Sequence, residues 1–198
     1  MNSRAFLGLA CNIRDELREE HSAASMEQYK ELLHRFLAFF SLLDNRTEEQ
    51  KQRVYQKLFS SNNRTVEQWL DFMEEFQNYA EPFSDISELD AIIATLGDEV
   101  SVVQDNEKVK VLAAYTLEAI QALGCNSTWC FSYPKSANHW YKYTTNDMVY
   151  YIFDKNHLMD QYVLVAPDAL YSVDNMEVDL ETLDYLGVDR SRLTFEPA

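Results

Sequence analysis

Cys130 lies near His139 and His157 in sequence, with carboxylate or amide side chains at Asp154 and Asn138. A thiol becomes a nucleophile when a base lies within hydrogen-bond reach and a third group orients that base. Cys130, His139 and Asp154 are therefore the candidate catalytic set. The competing reading places Cys130 in an apolar strand, since reduced cysteine is among the most commonly buried residue types. This second reading is preferred, and no catalytic residue is assigned.

Other chemistries are weaker still. Cys125 and Cys130 are not followed by a second cysteine pair, and the four histidines show no i, i+4 spacing; no metal site is expected. Asp174, Glu177, Asp179, Glu181 and Asp184 form an acidic run without the glycine or ligand spacing of a calcium loop. They are read as a solvated, partner-binding face. No glycine-rich phosphate loop follows a strand, so no nucleotide cofactor, nor any other, is expected. What remains is a ring-rich stretch holding Trp129, Trp140, Tyr141, Tyr143, Tyr150 and Tyr151. Trp129, Trp140, Tyr143 and Tyr150 are the candidate ligand-binding residues if one ring face is open. If it is closed, Trp129, Cys130, Tyr143 and Tyr150 form a packed hub joining sheet to helices.

Those residues need elements to hold them. Three S/T-x-x-Q boxes, at Ser25/Gln28, Thr47/Gln50 and Thr65/Gln68, each precede an apolar stripe of helical period. Trp69, Phe72 and Phe76 lie on the third stripe and are expected to be buried. Further helices are expected over 3–20, over 85–96 with Gly97 as its stop, and over 105–123 with Leu112 inward and Gly124 as its stop. After Gly124 the period changes to short aromatic and β-branched runs, "TWCFSY", "HWYKYT", "MVYYIF" and "QYVLVA", separated by polar breakers. "VDLETLDYLG" is a short late helix, and 188–198 an extended tail. The fold class is α+β: a helical lobe over 1–124 and a small antiparallel meander over 125–198 packed on it as one compact domain.

Charge narrows the partners. The 198 residues include 17 Lys and Arg against 33 Asp and Glu, a formal net charge of −16. Such a field repels phosphate backbones and anionic bilayers, so neither direct nucleic-acid binding nor membrane binding is expected, and a basic protein surface is the favoured partner. The opening segment carries only a six-residue apolar run and no secretory signal. Three cysteines are too few and too odd a number for a disulfide framework, which points to the cytoplasm.

Residues 128–180 resemble an uncharacterised family of bacteriophage-encoded proteins. The resemblance rests on Trp129 and Cys130, Tyr141 and Tyr143, the apolar run from Val149 to Asp154, Tyr162, and the acidic segment from Asp174 to Asp179. It implies a phage gene product acting in a bacterial host cytoplasm, and no particular reaction. The expected function is accordingly an acidic accessory protein that binds a host macromolecule and inhibits a host defence or a nucleic-acid enzyme. The alternative is a small cytosolic transferase or hydrolase with its pocket in the aromatic sheet around Cys130.

Overall fold

The computed structural model describes residues 23–58, 64–79, 81–133 and 148–195. Helix α1 spans Ala23–Leu42, α2 Glu48–Leu58, α3 Val66–Tyr79 and α4 Ile86–Leu96. Two of the expected capping boxes form. The Gln50 N–H donates to Thr47 Oγ1 (3.2 Å) while Thr47 N–H donates to Gln50 Oε1 (3.0 Å), and Thr65 and Gln68 repeat the exchange at 3.2 and 2.9 Å. Each satisfies backbone donors that a helix start leaves open. At the third box α1 already runs at Ala23, so Ser25 lies inside the helix and not at its start. Asp85 caps α4 through the Glu88 N–H (2.9 Å), and Gly97 ends it at φ 56°. The helix expected over 3–20 lies outside the described residues.

The helix expected over 105–123 is not formed. Val100–Asp105 is strand β1 and Val109–Ala114 is strand β2, followed by a shorter helix α5, Leu117–Leu123. Sheet therefore begins at Val100 and not after Gly124. Asn106 decides the local outcome: its Oδ1 accepts the N–H groups of Lys108 and Val109, both at 2.9 Å, which closes the turn between the strands. β2 is buried along its whole length, so the alternation that marks a strand is missing and its apolar residues fit a helical stripe equally well.

Strands β3 (Val149–Asp154), β4 (Gln161–Ala166), β5 (Ala169–Ser172) and β6 (Glu177–Val178) extend the hairpin into a six-stranded antiparallel meander in sequential order. Helix α6, Glu181–Leu186, follows. The fold is thus α+β, with helices first, sheet second and a short late helix. Leu112, Tyr151, Phe153, Val163 and Val165 face α4 and α5 in one core. Val111, Tyr150, Ile152, Leu164 and Leu170 face α6 and the residues after it in a second. A third core lies among α1, α2 and α3, where Phe36, Phe39, Trp69, Phe72 and Phe76 meet at ring separations of 5.2 to 5.8 Å. Trp69, Phe72, Phe76 and Leu112 are buried as expected, Leu112 from a strand. None of the described helices is long and apolar enough to cross a membrane.

Candidate functional site

Trp129 and Cys130 do not lie in a strand. Cys130–Ser132 is a turn of 3-10 helix tucked against α5, and Trp129 enters it with 0% of its surface exposed. Its ring stacks on Phe131 at 5.9 Å and meets Tyr151 edge-on at 5.5 Å, and its Nε1 donates to the Ser172 carbonyl (2.6 Å). Tyr150 is on the other side of the sheet, against Phe195, with its hydroxyl donating to the Thr194 carbonyl (2.6 Å). Successive strand residues point to opposite faces, so the hub is built with Tyr151 and not Tyr150. Trp129 and Tyr150 each sit in a packed core and do not bound one slot. His139, Trp140 and Tyr143 lie outside the described residues.

Cys130 is half-buried at its turn, and Asp154 sits at the end of β3, where its Oδ1 accepts the Asn156 N–H (2.9 Å). Of the five carboxylates of the late acidic run, Asp174 is paired with Arg53 (3.1 Å) and Asp184 with Arg190 (3.9 Å). Asp179 accepts the Glu181 N–H, while Glu177 and Glu181 are exposed. Among the described residues no group of three or more His, Cys, Asp or Glu is placed to hold a metal ion.

The densest polar arrangement is elsewhere, on one side of α2. Gln50, Arg53 and Lys57 recur at helical spacing, Arg46 continues the stripe before the cap, and the stripe faces inward. Gln50 Nε2 and Asn126 Nδ2 both donate to the Phe83 carbonyl, at 3.0 and 2.8 Å. Arg53 binds Glu49 (2.8 Å) and Asp174 (3.1 Å). Lys57, 1% exposed, donates from Nζ to the carbonyls of Gly124 (2.5 Å) and Cys125 (3.3 Å). Burial lowers its ammonium from 10.5 to about 7, with nearby Arg53 adding to the fall. The Cys125 thiol beside it is pushed up to about 11, again by burial, which outweighs the attraction of Lys57. Burial closes both the Lys57 amine and the protonated Cys125 thiol to a reactant, and the amine acts as a clamp: α2 fastens the 124–127 turn through the Cys125 carbonyl and through the Gly124 carbonyl, which also accepts from Ser127.

This stripe is part of a wider segregation of charge. Arg53, Lys57, Arg64 and Lys110 are buried, whereas no described Asp or Glu is. Arg64 lies over the rings of Trp69 (4.8 Å) and Phe72 (3.9 Å), and Lys110 is held by Asp90 and Asp105. With cations turned in and carboxylates left out, the surface is more acidic than the composition. The effect is strongest where the chain has no cations at all: from Thr65 to Glu107 there are twelve Asp and Glu and no Lys, Arg or His. That gap is visible in the sequence as a charge pattern; in the fold Glu74, Glu81, Glu88, Asp90 and Asp105 are met by Arg35, Arg46, Lys110 and Lys155 from elsewhere in the chain, and the other seven carboxylates make α3, α4 and β1 an acidic face.

A groove of about 380 Å³ opens on this face. One wall is the α4 ridge of Glu88, Ala91, Ile92, Thr95 and Leu96; the other is Glu81, Pro82 and Phe83, with Arg46 and Ala122 at the base. Arg46 Nη1 donates to Ser84 Oγ (2.7 Å) and Glu88 (3.0 Å), and Glu81 stands 3.5 Å from Nη2. Comparison with protein-family models, with curated proteins and with solved structures returned no match, so the functional reading rests on this chain's own residues.

Proposed function

We propose that this chain is a non-catalytic, acidic accessory protein that binds a basic surface of a host macromolecule. In keeping with its resemblance to phage-encoded proteins, it acts in the bacterial cytoplasm, where it inhibits a host defence or a nucleic-acid enzyme. The observation that carries the reading is the charge segregation: among the described residues four basic side chains are buried and no carboxylate is, and the sequence from Thr65 to Glu107 holds acidic residues and no basic one. A rigid array of exposed carboxylates competes for the grooves that such enzymes present to phosphates, and complementarity of this kind gives specificity and fast association. The chain itself is repelled by nucleic acid and anionic lipid, so the partner is a protein.

The test is a pull-down from the bacterial host with the intact chain as bait, read by mass spectrometry at low and at raised salt. The expected catch is a basic, nucleic-acid-binding protein that raised salt releases, because exposed charges are screened beyond ~10 Å at 0.1 M salt. A catch that is acidic, or that salt leaves in place, would overturn the reading.

A further inference from the structure

We infer that the groove between α4 and residues 81–83 is a docking site for a segment of a basic protein in which an apolar side chain is flanked by Lys or Arg. The inference rests on the binding function proposed above and assigns it a place. α4 is apolar along Ile86, Leu89, Ile92, Ile93 and Leu96, yet only Leu89 is fully buried. Ile92, Leu96 and Ala122 are half-buried and line the groove against buried Phe83, so their apolar surface is left partly uncovered by the described residues. An apolar lining of this kind, ringed by a few placed polar groups, is what a recognition pocket needs.

The sign of the occupant follows from the mouth. One guanidinium, Arg46, faces two carboxylates, and its side chain is only 13% exposed while that of Glu81 is 57% exposed. Glu88 is engaged further by the Ser84 N–H (2.6 Å), but Glu81 meets Arg46 only at 3.5 Å. The mouth therefore carries net negative charge with Glu81 available, and it adjoins Asp85 and Asp90 in the stretch without cations. An anion would have to displace a carboxylate that is already bound, whereas an apolar residue with a cationic neighbour covers this apolar lining and meets Glu81. A second copy of this chain is disfavoured by its formal charge of −16.

The test uses the full chain and two fluorescein-labelled peptides of equal charge, one of Leu and Lys and the other with every Leu replaced by Ser. The Leu-containing peptide should bind tighter by about tenfold or more, the transfer free energy of one leucine side chain. Ala91→Trp, which fills the groove from an exposed position, should erase that advantage, and Thr95→Arg should do the same should the first variant fold poorly. Glu181→Lys on α6, away from the groove, should weaken both peptides alike. Equal binding of the two peptides, or an advantage that survives both groove variants, would overturn the docking site while leaving the acidic-surface reading intact. Binding of neither peptide at low salt would overturn both. A dimer of the parent chain that Ala91→Trp dissociates would assign the groove to a second copy and likewise refute the proposal.

Discussion

Lys57→Met is the sharpest probe of the buried stripe, because its effect should change with pH. In the unfolded chain the amine keeps its proton up to about pH 10.5, and in the folded chain only to about 7. Between those values the unfolded chain holds more protons, so stability rises with pH. The slope is half-developed at pH 7 and approaches ~1.4 kcal/mol per pH unit above it, so the parent should gain ~2 kcal/mol from pH 7 to pH 9. Cys125 then stops the rise. Its thiol loses its proton near 9.0 when unfolded and near 11 when folded, a slope of opposite sign that cancels the lysine's until the lysine window closes. The methionine variant relieves a charge-burial cost of ~5 kcal/mol at and below pH 7, but strips the Cys125 carbonyl of its donor at ~1–3 kcal/mol, while the Gly124 carbonyl still accepts from the Ser127 N–H and hydroxyl. It should therefore be more stable than the parent by ~2–4 kcal/mol at pH 7 and lose ~2 kcal/mol of that advantage by pH 9. Urea unfolding followed by the fluorescence of buried Trp69 and Trp129 at several pH values measures the difference, and other titrating groups drop out of it. Parallel pH profiles for parent and variant between 7 and 9 would refute the argument.

Two further substitutions test the cores. Gln161 is fully buried on the α4 side of the sheet, and neither its Nε2 nor its Oε1 has a hydrogen-bond partner. Gln161→Leu should therefore raise the urea midpoint, by ~1–3 kcal/mol of stability; a loss would show that the amide is satisfied by bound water. Gly124→Ala should destabilise by ~1–3 kcal/mol, since its new Cβ would stand 2.5 Å from Ser132 Cβ and 2.9 Å from the Ile120 carbonyl. Adding Ser132→Gly should restore part of that loss in a double-mutant cycle, and an additive pair would mean that the clash is relieved elsewhere.

Which parts of this molecule can be read from its sequence depends on whether a residue's partner is local. The boxes at Thr47 and Thr65 and the cap at Asp85 close on residues three positions away, so they stand in the sequence as they stand in the fold. The β1–β2 hairpin is hidden, because β2 lies between two other strands with both faces covered, and its uniform burial erases the period that would distinguish it. Trp129 is misread for a related reason: an aromatic residue beside a cysteine resembles a strand, and only the Ser172 carbonyl and the Tyr151 ring show that it anchors a turn. The stripe of Arg46, Gln50, Arg53 and Lys57 is the hardest case. Polar residues at helical spacing normally mark the wet face, and nothing local shows that the carbonyls of Phe83, Gly124 and Cys125 lie opposite. That inversion is also what ties fold to proposed function. The cations that hold the chain together are withdrawn from its surface in doing so. The carboxylates from Thr65 to Glu107 that Arg35, Arg46, Lys110 and Lys155 do not pair are left to face a partner. A change that returned one of these cations to solvent would then weaken the clamp and dilute the acidic field together.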